Sequence, residues 1–101
     1  MVDKLNSLPG PHDIYREILP NGITVLARSN FNSPSVMVAG YFDAGALFDS
    51  DEKLGLAEYT TAALMRGTQK RTFYENYNAL EAVGATLGFN TGIHKSGFSG
   101  R

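Results

Sequence analysis

Two short runs of β-forming residues flank a Pro-Asn-Gly turn early in the chain, and their spacing predicts a β-hairpin. Tyr15 to Leu19 reads as the outgoing strand, Pro20, Asn21 and Gly22 as the turn, and Ile23 to Arg28 as the return. Asn-Gly between such runs is a strong hairpin signal, because both central positions of a two-residue type I′ turn take positive φ. After a polar loop over 30–34, Ser35 to Phe42 are apolar on both parities, the pattern of a strand covered on both faces. A loop over 45–53 carries Asp49, Asp51 and Glu52 and leads into a helix over 54–66. The acidic lead-in complements the helix dipole, and Gly67 is its stop. Thr72 and Glu75 form a capping box that opens a second helix, along which Phe73, Tyr77, Leu80 and Val83 recur at helical spacing until Gly84. Residues 85–91 and 93–99 then read as two adjoining strands, interrupted by Gly88, Gly92 and Gly97.

Strands grouped on either side of grouped helices predict an α+β fold, a mainly antiparallel sheet with helices packed on one face. The domain is expected over 14–101, behind a tail over 1–13 in which Pro9, Gly10 and Pro11 oppose regular structure. The last predicted strand stops close to Arg101. The sheet is therefore expected to leave an open edge and an incomplete core, covered by another copy of the chain or by further sequence.

A chain of 101 residues buries only about 60–68% of its unfolded surface, so its stability is marginal unless a partner covers more. Nine basic against ten acidic side chains leave a net charge of −1, which gives no field favouring nucleic acid or an anionic membrane. The absence of cysteine excludes disulfides and thiolate metal ligands. No run approaches bilayer-spanning length and the first residues lack the apolar core of a secretion signal, so a soluble chain is expected, with its compartment left open.

The most informative stretch runs from Gly55 to Thr68. Gly55-Leu56-Ala57 opens it, Gly67-Thr68 closes it, and Glu58, Thr61 and Ala62 lie between. It resembles the zinc helix of the insulinase, pitrilysin and mitochondrial processing peptidase family of inverted zincins, in which Gly-Leu-Ala-His opens the signature H-x-x-E-H and Gly-Thr follows. On that resemblance Glu58 stands where the first ligand histidine would be, Thr61 where the general-base glutamate would be, and Ala62 where the second histidine would be. The likeness extends from about Ile14 to Gly100, through Gly84-Ala85, Gly88-Phe89, Thr91, His94, Ser96 and Phe98. The family's Asn-Ala pair, which holds substrate backbone, is missing there. Gly88 and Phe89 remain as candidates for substrate contact.

The resemblance implies a metallohydrolase-like half domain, the N-terminal part of a non-catalytic subunit or half. Such a part pairs with an active zinc-bearing subunit and shapes a chamber for the peptide substrate of the complex. No catalytic residue, metal ligand or cofactor of its own is expected, since zinc belongs to the active relatives or partner, and any peptidase activity would need that partner. The family's further zinc-binding glutamate and the Arg and Tyr of some non-catalytic members fall beyond Arg101. The chemistry agrees independently. Catalytic zinc takes three protein ligands and keeps an open position, and a helix supplies two of them at i and i+4. Glu58 and Ala62 offer one, and Thr61 has no group that takes a proton from a metal-bound water near neutral pH.

Simpler roles compete at each position. Glu58 is a first-turn carboxylate that suits the dipole, and Thr60, Thr61, Ala62 and Ala63 are small enough for close helix-on-sheet packing as well as for lining a groove. His12 and His94 are far apart in sequence and lack a third ligand. Arg66, Lys70 and Arg71 could hold a peptide carboxylate, but they also suit a helix C-terminus and a solvated link. Asp43, Asp49, Asp51 and Glu52 lack the alternating donors of an EF-hand and are read as loop and cap residues. Phe89 and Phe98 have opposite strand parities, with a bulge at the glycine-rich turn leaving their facing open. Two other functions remain: a segment of a working zinc endopeptidase whose catalytic helix lies elsewhere or in a partner, and a sheet domain that self-associates through its open edge.

Overall fold

The computed structural model describes residues 9–101; residues 1–8, most of the expected tail, lie outside the described residues. The chain divides into two units, one reaching to Pro34 and one from Ser35 to Arg101. The first holds the hairpin of β1 (Tyr15–Ile18) and β2 (Thr24–Ala27), antiparallel with Tyr15 opposite Ala27 and Ile18 opposite Thr24.

The hairpin turn differs from the expected type I′. Gly22 alone takes positive φ, at 86°, and Asn21 does not. The Gly22 N–H donates to the Leu19 carbonyl at 2.8 Å, and the Leu19 N–H to the Ile23 carbonyl at 2.8 Å. Pro20 is the reason: its ring fixes φ near about −65° at the first central position, so the turn closes over Pro20 and Asn21 and Gly22 follows as a left-handed bulge residue. The Asn21 side-chain oxygen accepts from the Ile23 N–H at 3.1 Å and pins the return strand.

The second unit contains β3 (Val38–Phe42), two 3-10 turns (Ala46–Phe48 and Asp51–Lys53), α1 (Leu56–Ala63), α2 (Phe73–Glu81), β4 (Leu87–Thr91) and β5 (Ser96–Gly100). Its three strands form an antiparallel sheet in the order β3-β5-β4. With both sheets antiparallel and two helices between the strands, the fold is α+β, as the order of elements predicts. The open edge lies elsewhere than expected. The last strand occupies the centre of the sheet, because β4 and β5 form a hairpin and β3 adds to the far side of β5; the edges are β3 and β4.

Pairing also settles Phe89 and Phe98, which stand directly opposite each other with ring centroids 6.5 Å apart and hence share a face. Parity counted along the chain misleads because the turn between β4 and β5 sets the register. The Phe98 ring continues across β5 onto Gly40 of β3, where a Cβ would lie 2.5 Å from the ring. Thr91 and Ser96 are paired on the same face, and α1 packs against β4 there.

Both helices are shorter than their sequence patterns. Helix α1 begins at Leu56 because Gly55 sits at its N-cap in the left-handed region, at φ 89°, which leaves Leu54 extended. Its end tightens into i to i−3 bonds, from the Leu64 N–H to Thr61 and from the Arg66 N–H to Ala63. Helix α2 opens with the expected capping box. The Glu75 N–H donates to the Thr72 hydroxyl at 3.3 Å, and the Thr72 N–H donates to the Glu75 carboxylate at 2.7 Å. Phe73 and Tyr77 stack along it at 4.6 Å, whereas Val83 falls beyond its end and is exposed.

Among the described residues no large hydrophobic side chain is fully buried. The expected double cover over residues 35–42 is not seen: Val38 and Tyr41 remain 57% and 72% exposed, and within its sheet β3 pairs with β5 alone.

Candidate functional site

The frame around α1 is built by three local devices. Gly55 supplies the left-handed turn into the helix, with no neighbouring atom within 4 Å of a would-be Cβ, so backbone conformation alone calls for glycine there. The Asp49 carboxylate accepts from the Gly55 N–H at 3.1 Å and from the Ala57 N–H at 3.1 and 3.3 Å, capping first-turn amides from six and eight residues upstream. At the other end Gly67 bridges to Thr72, and the Thr68 hydroxyl accepts from the Lys70 and Arg71 N–H groups at 3.2 and 3.0 Å, folding the link into α2.

Inside that frame, Glu58 and Ala62 lie exposed at i and i+4, while Thr61 turns inward and is 8% exposed. The Thr61 hydroxyl lies 2.8 Å from that of Thr91, 2.9 Å from the Glu58 carbonyl and 3.2 Å from the Ala57 carbonyl. Thr91 in turn reaches the Ala57 carbonyl and the Ser96 hydroxyl, both at 3.2 Å. Ser96, 2% exposed, donates to the Ala44 carbonyl at 2.7 Å. Three hydroxyls therefore run from α1 across β4 and β5 to the end of β3, and no buried side-chain polar atom among the described residues lacks a partner. This chain of hydroxyls was not anticipated. Its sequence signal is faint, a Thr and a Ser five residues apart across a hairpin, and it needs the pairing register to become visible.

A divalent ion would meet one exposed carboxylate, a methyl group and a hydroxyl already engaged by the sheet and its own helix. That donor set does not fit the two-imidazole zinc site that the family resemblance implies. No group of three or more His, Asp or Glu side chains among the described residues is placed to hold a metal ion. His94 lies in the β4–β5 turn, where its carbonyl accepts from the Gly45 N–H at 3.3 Å, and His12 lies in the other unit.

The other candidates divide. Phe89 is half-buried on the face that carries Thr91, whereas Gly88 points to the opposite face by strand alternation. Arg66 stands 5.3 Å over the Phe73 ring, tying the end of the first helical segment to the second helix, and Lys70 and Arg71 lie exposed in the link. Asp43 pairs with Lys95 at 2.8 Å, and Lys95 also lies over the Tyr41 ring at 4.3 Å. Next to the hydroxyls a cleft of about 240 Å³ opens between α1 and the end of β3, lined mainly by apolar groups including Phe42, Ala44, Phe48, Leu56 and Leu64.

No protein-family model matches the chain. Over 69 residues, 68% of its length, it is 35% identical to a protein of Arabidopsis thaliana described as a probable mitochondrial-processing peptidase subunit beta. The match covers 13% of that relative's length. The likeness supports the insulinase and pitrilysin peptidase family as the class to which this chain is similar. No helix among the described residues is long and apolar enough to cross a membrane.

Proposed function

We propose that the chain is a piece of a catalytically silent insulinase-like subunit, which pairs with an active zinc-bearing subunit or half and helps to shape its peptide chamber. The observation that carries this reading is the position of Thr61. Where the family resemblance calls for a general base, the side chain is a hydroxyl held by Thr91 and two helix carbonyls. Neither proton abstraction from a metal-bound water nor two-point metal ligation is available from Glu58, Thr61 and Ala62. The relative's description as a subunit favours work within an assembly, and the exposed apolar side chains favour a covering partner. Peptide substrate would be held by the complex, with Phe89 the better placed of the two contact candidates.

Incubating the full chain with excess zinc and a mixed peptide library tests the reading, with cleavage followed by mass spectrometry with and without chelator. No chelator-sensitive cleavage is expected from the chain alone, and robust cleavage overturns the proposal. A working zinc endopeptidase with its catalytic helix elsewhere remains the second reading, favoured by the same relative's description as a processing peptidase. An H-x-x-E-H helix in the longer polypeptide that contains this sequence would decide for it.

A further inference from the structure

The hairpin turn places a side-chain amide next to a main-chain nitrogen that carries no neighbouring Cβ. Asn21 is followed by Gly22, whereas every other asparagine of the sequence precedes a residue with a side chain. With no Cβ in the way, the Gly22 nitrogen is sterically free to approach the Asn21 Cγ and close a cyclic imide. The folded turn sets two opposing conditions on that reaction. The Asn21 side-chain oxygen accepts from the Ile23 N–H at 3.1 Å, which draws electrons from Cγ and makes it a better electrophile. The Gly22 N–H donates to the Leu19 carbonyl at 2.8 Å, which retains the proton that must leave before the nitrogen can attack. A turn closed over Pro20 and Asn21 also holds ψ of the second central residue near about 0°. Ring closure needs the nitrogen eclipsed with Cβ about that same bond, well away from this value. The second condition decides, because polarising Cγ only adjusts a rate, while a nitrogen that keeps its proton and faces Leu19 does not react.

We infer that Asn21 is a site of spontaneous covalent modification, reactive only when the hairpin turn opens. Once the Gly22 nitrogen has given its proton to hydroxide, its electron pair forms the N–Cγ bond. The Cγ–Nδ2 bond then breaks, and the side-chain nitrogen takes up a proton and leaves as ammonia. Water opens the resulting imide at either of its two carbonyls, giving aspartate or isoaspartate, so that one water enters for each ammonia lost. Both products add one negative charge to the present net −1. Isoaspartate also routes the main chain through Cβ and Cγ, one carbon longer, inside a turn that is closed by the Leu19 N–H on the Ile23 carbonyl at 2.8 Å. That product therefore loosens the pairing of β1 with β2 and leaves the hairpin open more often than before. The inference is independent of the family reading, because it uses only bonds within the hairpin.

Incubation of the full chain at slightly alkaline pH tests it, with the peptide carrying residue 21 followed by mass spectrometry and the aspartate and isoaspartate forms separated by chromatography. In guanidinium chloride, where the chain is unfolded, Asn21 should convert ahead of every other asparagine. In the native chain at the same pH the conversion should be slower, by the factor that protects the Gly22 amide from hydrogen exchange, since both reactions await the same opening. Pro20→Ala releases the first central position of the turn and should speed native conversion at least about twofold, with the unfolded rate unchanged. Equal rates in the native and unfolded chains overturn the inference, as does an unfolded chain in which Asn21 converts no faster than the other asparagines. Native conversion that ignores the protection of the Gly22 amide, or that is indifferent to Pro20→Ala, counts equally against it.

Discussion

Replacing Thr61 with valine removes one hydroxyl from the run joining α1 to the sheet and puts a methyl group of similar shape in its place. Three contacts disappear, to the Thr91 hydroxyl at 2.8 Å and to the Glu58 and Ala57 carbonyls at 2.9 and 3.2 Å, but they share one proton and do not add. Thr91 keeps the Ala57 carbonyl and Ser96, so no buried hydroxyl is orphaned. The cost is therefore that of one net hydrogen bond, about 1 kcal/mol, and not the larger penalty of a stranded group. Valine and threonine have similar helix propensities, so little of the change comes from α1 itself. Amide exchange in α1 should speed up by about fivefold, as about 1 kcal/mol in the local opening equilibrium requires. Thr91→Val removes the middle hydroxyl, which has three partners, and should cost more, about 1–3 kcal/mol. The double variant should then fall short of the sum by roughly 0.5–1.5 kcal/mol, the signature of a shared interaction. Additivity within about 0.3 kcal/mol would show that the two hydroxyls act independently and would refute the reasoning.

Three further outcomes follow from local geometry. Asp49→Ala should cost about 0.5–2 kcal/mol and fray α1 from its N-terminus, read as faster exchange at Ala57 than at Leu64. Gly55→Ala and Gly40→Ala should both destabilise in urea titrations for separate reasons. The first strains a backbone at φ 89° without any clash, by about 1–3 kcal/mol. The second drives a methyl group into the Phe98 ring, so truncating Phe98 should relieve only the second. The Thr72 N–H, and after it the Thr72 hydroxyl, hold the Glu75 carboxyl below its ordinary value of 4.5. Its contribution is complete above that value and is lost as the pH falls through the lower folded one, so α2 should lose helicity on acidification below 4.5. Glu75→Gln should remove that step from a circular dichroism titration.

Elements with a local cause were legible in the sequence. The capping box of Thr72 and Glu75 needs only a four-residue window, and the acidic residues ahead of α1 announced a cap, although which of them served was visible only once Asp49 met Gly55 and Ala57. Turn chemistry was partly legible: Asn21-Gly22 marked the hairpin, but Pro20 decided its type. Long-range relations were not legible. Nothing in residues 96–100 distinguishes a central strand from an edge, and the facing of Phe89 and Phe98 depends on a register set between them. The apolar run at 35–42 predicted cover on both faces, whereas Val38 and Tyr41 stay exposed, so the run reports the strand but not what packs on it.

Gly55, Ala57, Gly67 and Thr68 each have physical work in shaping α1 and its exit. Gly55 permits the helix to start, Ala57 presents an amide to Asp49, and Gly67 with Thr68 folds the link into α2. Each would be called for by a helix of this length, entered by this loop and left by this turn, whatever stood at 58, 61 and 62. The frame therefore bears on architecture and does not dictate the residues at 58, 61 and 62. At one of them the chain uses the space differently: Thr61 joins Thr91 and Ser96 in fastening the helix to the sheet. A hydroxyl committed in this way belongs to the packing of helix on sheet, and its loss should be read first in stability.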